Sequence, residues 1–220
     1  PQLRKRFFAI GIRGDIVGKE GFSLPNPTFD HDRQNSELTC EKVIGDLDTY
    51  ESRGGYGSGT IHGDWEYETR AKGAFQRSMR VISGIGPRGT TWNTRIPNHT
   101  PKVIRRMGAI LKGASRREFV GTPLETAKNQ QRGLSRGSMP NITVVSIPDD
   151  YVHYNERMPR TLSVRECARL QTFPDHFHFL GKRTSGGIRR RVEVPQYTQV
   201  GNAVPPILAK ELGKIIIDMI

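Results

Sequence analysis

The chain has 220 residues, with 34 Lys and Arg against 22 Asp and Glu and a formal charge of +12 at pH 7. No apolar run is long enough to span a bilayer and no signal-peptide pattern opens the chain, so a soluble, cytoplasmic protein is expected, and two cysteines, Cys40 and Cys167, make neither a disulfide framework nor a zinc cluster. A cationic surplus of this size points to a polyanionic partner, most often nucleic acid, while 24 Gly and 14 Pro at 35% hydrophobic content predict a loop-rich fold with a thin core.

Pro1-Gln2-Leu3-Arg4-Lys5-Arg6 leads directly into Phe7-Phe8-Ala9-Ile10-Gly11-Ile12-Arg13. This continuous apolar run predicts a strand buried on both faces of a parallel sheet, with its neighbours either later in the chain or in another polypeptide. Gln2, Arg4 and Arg6 alternate, so in an extended segment they project to one side. Two guanidiniums there make either an anion site with bidentate capacity or a solvated basic segment. Residues 14–30 are punctuated by Gly and Pro and read as loop. Thr39 to Leu47 predicts one short helix ending at Gly45 or Leu47, and the Gly-rich residues 51–63 predict a flexible loop.

Trp65, Tyr67, Phe75 and Trp92 are interleaved with Arg70, Lys72, Arg77, Arg80, Arg88 and Arg95. The pattern suits either phosphate contact with stacking or packing in a core. Thr100 as N-cap and Pro101 at the first helical position open a helix. Its apolar face is Val103, Ile104, Met107, Ile110 and Leu111, and Gly113 closes it. His99 has no second ligand at metal spacing and reads as structural. Residues 128–140 are polar, basic and Gly-rich, and place Arg132 and Arg136 on a loop that could reach a groove, just before a predicted strand at 141–147.

Ser163 followed three residues later by Glu166 is a capping box. The helix it starts runs about two turns, with Val164, Cys167, Ala168 and Leu170 available for a buried face, and Phe173-Pro174 stops it. Lys182, Arg183, Arg189, Arg190 and Arg191 lie on a Gly-rich stretch that is either a solvated loop or a phosphate contact. Gly201-Asn202 predicts a turn, Pro205-Pro206 opens a last helix, and Ile207, Leu208, Leu212, Ile215, Ile216 and Met219 predict a core face on it.

RTLSVRECARLQTFPD at residues 160–175 and QVGNAVPP at 199–206 resemble the ninth and tenth motifs of the DNA cytosine-5 methyltransferases, and PQ-x-R-x-R before the apolar run resembles the eighth. The IGDL string ending at Leu47 and the Asn98-His99 pair are similar to what that family has at these places. The resemblance implies an α+β fold. Residues 21–195 would form the small target-recognition domain including the ninth motif. Residues 1–20 would add a strand, and residues 196–220 the tenth motif and a helix, to an α/β domain that binds S-adenosylmethionine. The implied reaction moves a methyl group to carbon 5 of a cytosine flipped out of a specific duplex sequence, because the target atom is otherwise inside the base stack. The setting would be a restriction-modification system, in a cytoplasmic, nucleoid-associated protein.

The resemblance also implies roles. Arg4 and Arg6 would reach the active site, with Gln2 holding the local geometry. Asn202 and Ala203 would line the methionine end of the cofactor, with Ala203 where many members have Ser, and Gly201 would shape the turn. Arg165, Glu166 and Arg169 would brace the recognition region, while Arg132, Arg136, Lys182, Arg183, Arg189, Arg190 and Arg191 would meet DNA. The family nucleophile is a Cys that follows Pro. Here Cys40 follows Thr39 and Cys167 follows Glu166, and neither a Glu-Asn-Val segment nor a Phe-x-Gly-x-Gly start is present. The expectation is the C-terminal portion of such an enzyme, inactive without an N-terminal half that is a partner subunit, the rest of a longer chain, or lost by gene decay. The other expectation is a sequence-specific DNA-binding module without chemistry.

Overall fold

The computed structural model describes residues 7, 9–11, 13–15, 38–48, 67, 70–81, 91–125, 132–140, 151–184 and 192–218. Helix α1 (Cys40–Ile44) starts at Thr39, whose hydroxyl accepts from the Lys42 N–H at 3.3 Å, and a 3-10 turn (Gly45–Leu47) continues it. Helix α2 (Ala74–Val81) was not legible from hydrophobic spacing alone. Its Gln76 reaches back to accept from the Lys72 N–H (2.6 Å) and donates to the Glu41 carbonyl (2.9 Å), which ties α2 to α1.

Helix α3 (Pro101–Leu111) follows the expected face: Val103, Met107 and Ile110 are buried, and Gly113 closes it at φ +98°, the left-handed region that glycine tolerates. Thr100 has the extended backbone of an N-cap, but its side chain makes no capping bond. A 3-10 turn (Arg116–Phe119) follows, with Ser115 and Glu118 in a capping box, and folds Phe119 back onto α3. Two short strands, β1 (Arg132–Gly133) and β2 (Tyr151–Val152), pair in parallel, with Arg132 opposite Tyr151. The strand predicted at 141–147 lies outside the described residues.

Helix α4 (Val164–Leu170) begins at the predicted capping box: the Glu166 N–H donates to the Ser163 hydroxyl at 3.2 Å and the Ser163 N–H to Glu166 Oε2 at 2.7 Å. All seven of its residues are buried, so it is a central post rather than an amphipathic surface helix. Helix α5 (Gln196–Asn202) occupies the place predicted as a Gly201-Asn202 turn. These two residues are its last turn, because Tyr197 and Val200 pack it against α4. Helix α6 (Pro206–Asp218) forms as expected, but the predicted core face does not: none of its residues is buried, and Ile207, Leu208, Leu212, Ile215 and Ile216 are all partly exposed.

Of the apolar segment expected as a strand after Arg6, Phe8 and Ile12 lie outside the described residues. Phe7, Ala9, Ile10, Gly11 and Arg13 take no strand conformation, Phe7 is 92% exposed, and among the described residues no strand lies beside them to pair with. The main core joins Cys40, Val43 and Ile44 of α1 to Val164, Cys167, Ala168 and Leu170 of α4, Tyr197 and Val200 of α5, and Phe173 and Phe179. A smaller core sits under α3, where Val103, Met107 and Ile110 meet Phe119 and Val152. Among the described residues the architecture is mainly helical with few strands.

Candidate functional site

The ninth-motif helix is built from charge. Arg169 is fully buried and pairs with both Asp175 oxygens, with Asp46 (3.0 and 3.2 Å) and with the Val43 carbonyl (3.0 Å). Asp46 also takes Arg80 at 2.6 Å, and Asp175 accepts the Tyr67 hydroxyl. Burial would lower the Arg169 pKa, but Asp175 and Asp46 outweigh it and raise it well above the ordinary value. Arg80 and Tyr67, two members of the interleaved basic and aromatic set, therefore serve this interior cluster, and Arg80 lies over the Tyr67 ring at 3.6 Å from its centroid. Trp92 is half-buried against His178. Trp65 and Arg88 lie outside the described residues.

A second buried cluster lies at the start of α4. Arg160 holds Glu166 bidentately (2.8 and 2.7 Å) and reaches Asp48 at 3.3 Å. Burial alone would raise the Glu166 carboxyl, but Arg160, helped by His153 and the Ser163 N–H, brings it down to about 2. His153 is fully buried, and burial followed by the Arg160 charge pulls its pKa down to about 4. Arg165 is bound by carbonyls, donating to Trp92 (2.8 Å), Pro174 (3.2 Å) and Phe177, and burial lowers its pKa to about 10.

The tenth-motif segment is fastened to this post. Tyr197 donates to the Leu162 carbonyl at 2.6 Å, and Gln196 to the Phe179 and Gly181 carbonyls, both at 2.9 Å. Gln171, one residue past α4, donates to the Ala203 carbonyl at 2.7 Å, and Thr172 accepts from the Ile207 N–H at 3.2 Å. The Ala203 N–H goes to Val200 at 3.4 Å. Ala203 thus already uses both its backbone polar groups within the chain, while the adjacent Asn202 is exposed at the end of α5 and Gly201 is buried beneath it.

Burial pushes the Cys40 thiol up to about 12 and the Cys167 thiol up as well, so both stay protonated and packed in the core, the opposite of a nucleophile's environment. His99 accepts at Nε2 from the Thr161 N–H at 3.2 Å. Gln2, Arg4, Arg6, Arg189, Arg190 and Arg191 lie outside the described residues. Arg132 is exposed on β1. Arg136 is exposed but pairs with Glu41 at 3.4 Å and lies over the Tyr154 ring. Lys182 is exposed and pairs with Glu193 at 3.0 Å, and Arg183 is half-buried against the Arg95 carbonyl.

One cationic surface escaped the sequence reading. Lys102, Arg105 and Lys112 are exposed on the face of α3 opposite its core residues, at helical spacings of three and seven, and α3 contains no acidic residue. Arg116 and Arg117 of the following 3-10 turn are exposed too, and the Arg116 charge, second to burial, lowers the pKa of Arg106. The signal was available: the positions complementary to the predicted apolar face are basic. Among the described residues no group of three or more His, Cys, Asp or Glu could hold a metal, and no helix is long and apolar enough to cross a membrane.

Comparison with known proteins gives one consistent result. Residues 1–218 match the family model of the C-5 cytosine-specific DNA methylases. The type II methyltransferase M.DdeI of Desulfomicrobium norvegicum is 30% identical over 236 residues, which cover 97% of this chain and 50% of that protein. M.MthTI of Methanothermobacter thermautotrophicus is 30% identical over 220 residues, 97% of this chain and 51% of its own. The chain therefore spans about half the length of these curated relatives. M.AquIB of Picosynechococcus is 34% identical over 125 residues that make up 84% of it, so it is itself a short chain.

Proposed function

The chain belongs to the C-5 cytosine-specific DNA methylase family, and on that premise we propose that it is the target-recognition part of a DNA cytosine-5 methyltransferase of the restriction-modification type, acting with an N-terminal half that carries the nucleophile. The geometry of the tenth-motif segment carries this reading. It is anchored on one side by a helix buried all round, yet on the other side Asn202 is exposed, Ala203 is half-buried and no residue of α6 is buried. Those features suit one wall of a site that another part of the enzyme completes. M.AquIB supports the separate-subunit form of the reading, since it is a short chain of the same family that matches this one.

An exposed amide on a fixed turn suits the polar methionine end of S-adenosylmethionine. The cofactor supplies an activated methyl group. Asn202 orients it, the Asn202–Ala203 turn shapes the wall, and Arg4 and Arg6 place the flipped cytosine and its flanking phosphates. Arg132, Arg136, Lys182, Arg183, Arg189, Arg190 and Arg191 face DNA, and the α3 surface of Lys102, Arg105 and Lys112 adds phosphate contacts without reading bases. Residues 1–20 and 196–220 complete the α/β domain, and residues 21–195 form the recognition domain.

One observation favours a second reading, a DNA-binding module without chemistry: the cationic α3 face suits phosphate contact whether or not a cofactor turn is used. Two substitutions separate the readings in one set of assays. Neutralising Lys102, Arg105 and Lys112 to Gln should weaken DNA binding equally for all sequences and flatten its salt dependence by about one unit per lost contact. In the enzyme completed by its N-terminal half, Arg6→Ala should abolish most methyl transfer while leaving most DNA affinity. If Arg6→Ala behaves as one more phosphate contact and transfer is untouched, the enzymatic reading falls.

A further inference from the structure

We propose that Gln171 and Thr172 form a two-point clamp that positions the cofactor-side turn, so that the ninth motif sets the geometry of the tenth. The inference rests on the functional reading above for the word cofactor, but not for the clamp itself. Gln171 Nε2 donates to the Ala203 carbonyl at 2.7 Å and Thr172 Oγ1 accepts from the Ile207 N–H at 3.2 Å, so consecutive side chains grip both sides of Val204-Pro205-Pro206. Neither proline has an N–H with which to fix itself. Ile207, the second residue of α6, offers one of the orphan donors that every helix start leaves. Thr172 satisfies it from a distant part of the chain.

The backbone of Thr172 argues that the hydroxyl is used. It sits just past the end of α4 at φ +63°, in the left-handed region where glycine is the unstrained choice and a β-branched residue is an outlier. Glycine would end the helix without strain but has no oxygen to offer Ile207. The clamp is firm because Arg169, two and three residues upstream, is fixed to Asp46, Asp175 and the Val43 carbonyl. Gln171 and Thr172 act through the Ala203 carbonyl and the Ile207 N–H. They are positioning residues.

The test uses Thr172→Val, Thr172→Gly and Thr172→Ser. On this chain, amide exchange at Ile207 is measured by NMR. On the active methyltransferase containing it, the affinity for labelled S-adenosylmethionine is measured by equilibrium dialysis, alongside DNA affinity and the melting temperature. Thr172→Val and Thr172→Gly should speed Ile207 exchange and weaken cofactor binding by about three- to tenfold, the worth of one hydrogen bond, with DNA affinity unchanged. Thr172→Ser should restore both. Thr172→Gly should not lower the melting temperature, since it also relieves the left-handed strain, which separates a lost grip from a lost fold. Unchanged Ile207 exchange in Thr172→Gly overturns the clamp. Faster exchange with unchanged cofactor affinity overturns its positioning role. An unsubstituted enzyme that binds no S-adenosylmethionine contradicts the functional reading instead, and the exchange result still decides the clamp.

Discussion

Replacing Arg169 with Met should cost about 3–5 kcal/mol of stability, a large share of the roughly 5–15 kcal/mol that holds a domain folded. The cost does not come from losing a favourable pair as such, because a buried ion pair roughly balances its own desolvation. It comes from what is left behind. Asp46 and Asp175 are both buried, and Arg169 bonds both. Without it Asp46 loses one of its two described guanidinium partners and keeps Arg80, and Asp175 keeps the Tyr67 hydroxyl. Arg169→Lys should recover part of the loss, since an ammonium keeps the charge but cannot span two carboxylates and a carbonyl with a planar fork. Arg136→Met removes an exposed pair with Glu41 and should cost less than about 1 kcal/mol. Urea unfolding monitored by circular dichroism measures all three. A small loss for Arg169→Met, comparable to that for Arg136→Met, would contradict the picture of α4 as a charge-locked post.

Acid should destabilise the fold well before most carboxylates titrate, and His153 should be the reason. Its folded pKa is about 4, below the ordinary 6.5, so the unfolded chain takes up its proton first. Stability from the neutral imidazole is complete above pH 6.5 and is lost as pH falls towards 4, by an amount on the order of 3 kcal/mol. Glu166 acts in a lower window: held down to about 2, it contributes fully above the ordinary carboxylate range and is lost as pH falls from about 4.3 to 2. The charges around His153 are Arg160, Glu166, Asp48 and Arg136. Its Nδ1 accepts from the Asn155 N–H at 3.1 Å, so the neutral ring carries its proton on Nε2, facing Glu166 at 3.5 Å. His153→Gln should flatten the melting temperature between pH 6.5 and 4 and leave the lower step in place. An unchanged slope in that variant would assign the acid sensitivity elsewhere.

Local signals in the sequence located most of the helices. Thr39, the Pro101–Gly113 span and the Ser163–Glu166 box each specify a helix end through backbone chemistry that needs no tertiary partner, and each stands where it was expected. Helix α2 lacked such a signal, because Gln76 makes its bonds to Lys72 and Glu41 only once α1 is beside it. The Gly201-Asn202 pair reads locally as a turn, but packing of Tyr197 and Val200 against α4 carries the helix through it. The all-round burial of α4 was equally hidden. The resemblance gives Arg165, Glu166 and Arg169 a bracing role, but Asp46 and the Trp92 carbonyl, which bind Arg169 and Arg165, come from distant parts of the chain that no local pattern connects.

The candidate site divides along the same line. The family motifs name Asn202 and Ala203 from sequence, but that Ala203 has both backbone groups engaged, and that Gln171 and Thr172 hold the turn, depends on contacts across more than thirty positions. The apolar face of α6 is plain in sequence, and the chain does not bury it. The cationic face of α3 was legible by the same periodicity that predicted its core, once the complementary positions are read as well.

The central claim is that this chain holds recognition and part of the catalytic pocket, with the nucleophile elsewhere. Transfer of tritium from labelled S-adenosylmethionine to duplex DNA tests it most directly. The chain by itself should transfer none, and mixing it with a polypeptide carrying the first seven motifs of a closely related family member should restore transfer to cytosine carbon 5. Transfer by the chain alone, or a mixture that binds DNA and cofactor yet never methylates, would contradict it.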